Sequence, residues 1–151
     1  MTDSRTLAYI NMYAVLGTLE NLCELDDKAK EIISTIEKPI SVAFDVKNGP
    51  SATLTFSKNG CRMDDGVNAD CDIKIPVANC DKFNAIIDGK ATPIPTKGLT
   101  KVNFLLKTFT ALTDRLTEVM RPTEEALKDM DFFKLNTLCT FYTVSVALSQ
   151  I

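Results

Sequence analysis

The chain has 151 residues, 45% of them hydrophobic and 25% charged, with a net charge of −3. That length suits one domain burying about 68–70% of its unfolded surface, and no basic stripe is present to neutralise phosphates, so nucleic-acid binding is not expected. Histidine is absent altogether, which removes Ser-His triads, His-ligated zinc and imidazole acid–base chemistry.

The five cysteines are odd in number and lack C-x-x-C spacing, so they read as reduced, mostly buried small side chains. The first residues, M-T-D-S-R-T-L-A-Y, show no apolar run of signal-peptide type. No stretch reaches the ~18 apolar residues of a membrane span. The expectation is a cytoplasmic protein without stable membrane insertion.

From Ser4 to about Cys23 a helical stripe carries Leu7, Ile10, Ala14 and Gly17, with Tyr9 and Tyr13 beside it as core residues with wet tips. A second helix is expected from Asp26 to Glu37 on Ala29, Ile32, Ile33 and Ile36, with Asp26 and Asp27 suiting its first turn as structural acids. After Pro39 the period becomes two. Ile40, Val42, Phe44 and Val46 alternate with polar neighbours, then Ala52, Leu54 and Phe56 do the same, and Cys61 and Met63 begin a third strand. Asn48-Gly49-Pro50 and Lys58-Asn59-Gly60 are the turns of this antiparallel meander. Asp64 to Asp72 places oxygens at alternate positions, but a calcium loop begun at Asp64 needs glycine and glutamate where Ala69 and Ile75 stand. No metal or other cofactor is expected.

Cys71, Ile73 and Ile75 form the next alternating strand, which Pro76 is expected to end for lack of an N–H. Asn79 caps a short helix bearing Phe83, Ile86 and Ile87, and Gly89 stops it. Leu99 to Asn103 reads as a brief edge strand. Helix returns from about Asn103 to Met120, with Leu105, Thr108, Phe109, Leu112, Leu116 and Val119 on one face and Phe104 at its margin. Thr123 caps a short turn, and Asp131 to Ile151 favours helix, although its β-branched residues leave a strand open. Strands are segregated from helices, so the class is α+β.

This order of elements, together with Ala69-Asp70-Cys71-Asp72-Ile73 and the turn Asp88-Gly89-Lys90, resembles the sterol carrier protein two family of lipid-binding domains. The likeness covers about half the chain, from Ile40 to roughly Leu116. Gly98-Leu99-Thr100-Lys101-Val102-Asn103 departs from the G-K-L-x-I-x-G of that family's last strand. The resemblance implies a five-stranded, mixed but mostly antiparallel sheet with helices packed on one face; the extra C-terminal helices beyond Met120 are an addition without counterpart in a minimal domain of that family. One domain over 1–151 is expected, with its core at 40–116, N-terminal helices at 4–38 and a helical extension at 120–151.

It also implies an apolar tunnel for a fatty acyl or sterol-like ligand, held without catalysis. Wall residues on the sheet would be Phe44, Phe56, Ile73 and Ile75. On the helices they would be Phe83, Ile86, Ile87, Leu105, Phe109 and Leu112. Lys90, Lys97 and Lys101 are the cations nearest for a polar head. The alternative is an interaction module that forms a homodimer through its apolar C-terminal helix, Phe132 to Leu148, without bound lipid. An enzyme would have to rest on Cys61, Cys71 or Cys80 as nucleophile, with no histidine to activate any of them.

Overall fold

The structure, a computed structural model, describes residues 3–151. Alternation in the sequence becomes a sheet of four strands, β1 (Ile40–Val46), β2 (Ser51–Ser57), β3 (Gly60–Asp65) and β4 (Ile73–Val77), in the order β3-β2-β1-β4. The β1–β2 and β2–β3 pairs are antiparallel and β1–β4 is parallel. Because side chains alternate between faces, Val42, Phe44, Val46, Ala52, Leu54, Phe56, Ile73, Ile75 and Val77 share the buried face beneath the helices. The opposite face is crossed by the connection from β3 to β4. There the Thr53 hydroxyl donates to Gly66 O (2.8 Å) and accepts from Asn68 N (2.9 Å), while Ser41 N donates to the Asp72 carboxylate (2.9 Å).

The fifth strand expected at Leu99–Asn103 does not form. Leu99–Lys101 is a single 3₁₀ turn and Val102–Phe104 is already helical. What remains of an edge is two backbone bonds, Lys74 N to Lys97 O (3.2 Å) and Thr96 N to Lys74 O (2.9 Å). Pro93 and Pro95 bring no N–H donors to that edge, and Gly98 turns the chain away in the left-handed region at φ +84°. A Cβ on Gly98 would meet Asp72 O at 2.2 Å, so only glycine fits this crossing.

Pro76 does not end β4 either. It pairs with Asp45, and Val77 pairs with Val46. Lys74, two residues before it, points its N–H outward to Lys97. The missing N–H of Pro76 therefore faces the open edge, where proline costs the ladder nothing.

Helices cover the apolar face. The N-terminal run is α1 (Ser4–Tyr9), a π-helical segment (Ile10–Leu16) and α2 (Thr18–Leu25), followed by α3 (Asp27–Ile33). α3 stops four residues short of the expected Glu37. Asn79 caps α4 (Cys80–Ile87) by accepting from Lys82 N at 2.8 Å, and Gly89 closes it at φ +74°. After α5 (Val102–Phe104) comes a second π segment (Leu105–Phe109), then α6 (Thr110–Met120). The C-terminal stretch is helix throughout, α7 (Met130–Ser149), started by Asp129 accepting from Asp131 N and Phe132 N. α7 packs on the first π segment, α2 and α6.

Asp26 and Arg115 bolt this helical layer together. Arg115 on α6 forks onto the carboxylate that caps α3, with Nε–Oδ2 2.8 Å and Nη2–Oδ1 3.0 Å, while Asp26 also accepts from Ala29 N. Its guanidinium reaches Glu118 at 3.1 Å and lies over the Phe132 ring of α7, 5.5 Å from the centroid. The side chains of Arg115 and Asp26 are only 9% and 6% exposed. Removing one partner strands a buried charge, which costs about 3–5 kcal/mol, whereas an apolar pair of similar volume is close to neutral. Arg115→Met is therefore expected to cost about 3–5 kcal/mol in urea denaturation. The double variant Asp26→Leu/Arg115→Met should recover all but the ~1 kcal/mol of the lost helix cap.

Candidate functional site: a row of phenylalanines between sheet and helices

Strand alternation aims Phe44 of β1 and Phe56 of β2 at the helical layer. The helical repeat brings Phe83 of α4 down from one side, and Phe104 and Phe109 of the α5–π segment from the other. The rings line up. Phe83 lies 6.1 Å from Phe44, Phe44 6.0 Å from Phe109, Phe109 5.8 Å from Phe56, and Phe56 5.4 Å from Phe104 (centroid distances). The pairs are tilted or edge-on, the arrangement the ring quadrupole favours, at about 0.5–1.5 kcal/mol each beyond their buried area.

Of the residues read from the sequence as walls, Phe44, Phe56, Ile73, Ile75, Phe83, Leu105 and Leu112 are buried. Ile86, Ile87 and Phe109 are half-buried against the same core. Ile75 and Ile73 stand beside Phe44 and Val42 across the parallel pair. Where the resemblance implies a tunnel, the five rings stand in line. Phe104 completes the row. Its place at the margin of the helical stripe hid it, because the π turn at Leu105–Phe109 rotates the residues before it relative to those after. Thr110 Oγ1 donates to Leu105 O (2.8 Å) within that turn.

A polar joint sits beside the Phe83 end. Asn11 on the first π segment donates to Asn84 Oδ1 (2.9 Å), and Asn84 donates to Ser4 O (3.0 Å). Both asparagines are buried, and neither stands out in the sequence because an isolated amide gives no periodic signal. Tyr13 resolves as a core residue with an engaged tip. Its hydroxyl donates to Ser51 O (2.8 Å) and lies 2.6 Å from the Asp65 carboxylate. Burial, with Asp65 beside it, pushes its pKa well up.

The candidate cations are partly engaged. Lys97 Nζ donates to Ala69 O (3.3 Å), and Lys101 pairs with Asp72. Lys90 is exposed beyond the α4 stop. Three of the four carboxylates in Asp64–Asp72 are spent in the same way: Asp64 on Arg62 (3.1 Å), Asp65 on Tyr13, and Asp72 on Ser41 and Lys101. Among the described residues no three Asp, Glu or Cys side chains cluster as a metal requires.

Burial pushes the Cys61 thiol far up, and lifts Cys23 to about 12 and Cys139 to about 11. Such thiols stay protonated at neutral pH and are poor nucleophiles. Cys71 is buried at the β4 entrance. Cys80 packs on the β1–β2 turn, where a Cβ on Gly49 would meet its Sγ at 2.8 Å.

Two clefts open elsewhere on the surface. One of about 520 Å³ lies at the Asp26–Arg115 bolt, bordered by Arg121, Asp129 and Phe132. The other, about 570 Å³, lies between Glu20, Glu24, Asn59, Cys61 and Tyr142. Neither is bordered by a member of the ring row.

No family model and no curated protein matches the chain. It is similar to the solved structure of a conserved hypothetical protein from Thermus thermophilus, described as possibly a sterol carrier protein. The identity is 16% and the TM-score 0.46, over 78% of this chain and 87% of that one. A structure of sterol carrier protein 2 gives 16% identity and a TM-score of 0.44, over 77% of this chain and 93% of that one.

The Asp72 joint has a pH signature. Burial alone would raise its pKa, but the hydrogen bonds from Lys101 and Ser41 outweigh that and hold the carboxyl below its ordinary value. A depressed folded pKa gives stability that is present above the unfolded value, about 3.9, and is lost as pH falls through the folded one. Asp72→Asn should therefore cost about 1–2 kcal/mol at neutral pH. In urea titrations that gap should close steadily below about pH 4.

Proposed function

We propose that the chain binds, without chemistry, an apolar ligand with an acyl-type tail laid along the row from Phe83 to Phe104. The single observation that carries this reading is the continuity of the row. It runs from Phe83 of α4 through Phe44, half-buried Phe109 and Phe56 to its end at half-buried Phe104 of α5. A tail enters by displacing Phe109 and Phe104 together with the short elements that carry them. Those elements are suited to yield: a three-residue helix followed by a π turn, where the backbone ladder is already off its regular spacing. Exposed Leu99 and Leu106 lie on the same stretch and extend the apolar surface at the entrance.

Magnitudes favour a moderate binder. Burying about ten methylenes at ~0.8 kcal/mol each gives about 8 kcal/mol. Lost translational and rotational freedom and broken ring contacts subtract from this, so a C10 tail alone stays weaker than micromolar. A longer tail raises it.

Substitutions at Phe109 should act with opposite signs. Phe109→Ala empties part of the row and should tighten a fluorescent acyl probe by about tenfold, whereas Phe109→Trp overfills it and should weaken the probe about as much. Because Phe109 ties the sheet to the later helices, the alanine variant should also lose about 3–5 kcal/mol of stability. Circular dichroism checks that each variant is folded before its affinity is read, and Phe109→Leu, a smaller truncation, replaces the alanine variant if that one is unfolded. Failure of the wild-type protein to take up the probe, or equal affinity across the three folded proteins, refutes the reading.

A further inference from the structure

α7 has two apolar faces, and the core uses one. Phe132, Leu135, Cys139 and Tyr142 turn inward toward the first π segment, α2 and α6. On the opposite side Phe133, Leu138, Phe141, Val144 and Leu148 are between 48% and 73% exposed. From Leu135 to Ile151 the sequence has no Asp, Glu, Lys or Arg. A helix with large apolar side chains all round is ordinarily covered all round. At roughly 150–200 Å² per whole side chain, the exposed parts of these five sum to about 500 Å². That is the upper end of what a monomer ordinarily shows, about 300–600 Å². Met130 at the N-terminal end and the flanking Thr137 and Ser145 carry the patch toward the ~800 Å² that each partner contributes to a stable interface.

The pattern along this face says what covers it. In an antiparallel pair of identical helices, facing positions have a constant sum, and a two-fold axis passes through the centre. Centred on Phe141, the middle of the stripe, residues 137–145, reads nearly the same in both directions. Leu138 then faces the partner's Val144, Thr137 faces the partner's Ser145, and Phe141 faces the partner's Phe141. Leu148 faces the partner's Lys134, whose aliphatic stem lies along it. Antiparallel pairing also sets the two helix dipoles head to tail, and separates Lys134 from the partner's Lys134 by about 21 Å at 1.5 Å per residue. A parallel pair would instead put Lys134 on Lys134 and Asp131 on Asp131. A lipid surface is disfavoured, because helices that lie in a membrane interface carry Lys and Arg along their polar flanks, and here the flanks are Thr, Ser and Asn.

We propose that the outer face of α7 is the interface with a second copy of this chain, packed antiparallel with its two-fold axis at Phe141. The test is molar mass by light scattering over about 1–100 μM, a range that resolves a micromolar dissociation constant. A mass rising to twice that of the chain is expected. Phe141→Glu places two like charges at the axis and should weaken association by at least about a hundredfold. Since Phe141 makes no buried contact that the fold needs, the circular dichroism and thermal transition of the variant should stay those of a folded chain. Mixing Phe141→Glu with Phe141→Lys should restore the doubled mass.

Leu148→Cys under mild oxidation tests the direction, because its two copies lie about 21 Å apart in the antiparallel pair and should not crosslink. Rapid crosslinking there overturns the antiparallel geometry. A constant single-chain mass overturns the interface. Single-chain mass together with binding to phosphatidylcholine vesicles that Phe141→Glu abolishes assigns the face to lipid instead, and overturns it too. Phe141 is outside the ring row, so acyl-probe uptake by the Phe141 variants separates this result from the ligand-binding reading.

Discussion

The contact on which the structure depends is that of Phe44 and Phe56 with Phe109. These two strand residues meet one ring carried by the π segment before α6, and through it the sheet is tied to the later helices. Phe83 joins α4 to the same row through Phe44, and Phe104 joins α5 through Phe56. Five rings thus connect four separate stretches of chain by contacts that have preferred angles but no fixed hydrogen-bond partner. Rings of this kind hold elements together through buried area and edge-to-face attraction.

Polar joints surround that centre and fix the pieces it cannot orient. Asn11, Asn84 and Ser4 hold α1 and the first π segment against α4. Tyr13 fastens the same segment to the far end of β2. Asp26 and Arg115 fasten α3 to α6, with α7 resting on the guanidinium through Phe132. Each joint lies at the perimeter of the core, where a buried polar group can still find its partner. The interior of the row carries none. The two π segments occupy comparable places in this scheme: each lies against the sheet or its ring row and is followed by a regular helix that α7 covers.

Much of the fold was legible in the sequence. The period of two from Ile40 to Phe56 and the turns at Asn48-Gly49 and Asn59-Gly60 specify the meander. Asn79 and Gly89 delimit α4, and the helical repeat from Leu105 to Val119 orients α6 correctly. The inward aim of Phe44, Phe56, Phe83 and Phe109 follows from those periods, and so do the burial of Leu105 and Leu112. Phe104 escaped because a π turn shifts the phase of the repeat, and Asn84 because one amide among isoleucines leaves no pattern. The fifth strand rested on a short stretch without a clear period. Pro93, Pro95 and Gly98 left it only the Lys74–Lys97 bridge.

Local sequence determined which segments are strands and helices, and which side of each is apolar, because propensity and side-chain period act within a few residues of one another. Whether Pro76 interrupts a strand depended on β4 taking the sheet edge, a matter of strand order that no local pattern encodes. Whether the apolar layer is filled depended on rings from distant segments meeting, since the same alternation is compatible with hollow or packed interiors. The two greasy sides of α7 look alike in sequence. Only the docking of one of them against α2 and α6 decided which faces the core and which is left outward, because burial is a property of the assembled surface and not of the helix that contributes to it.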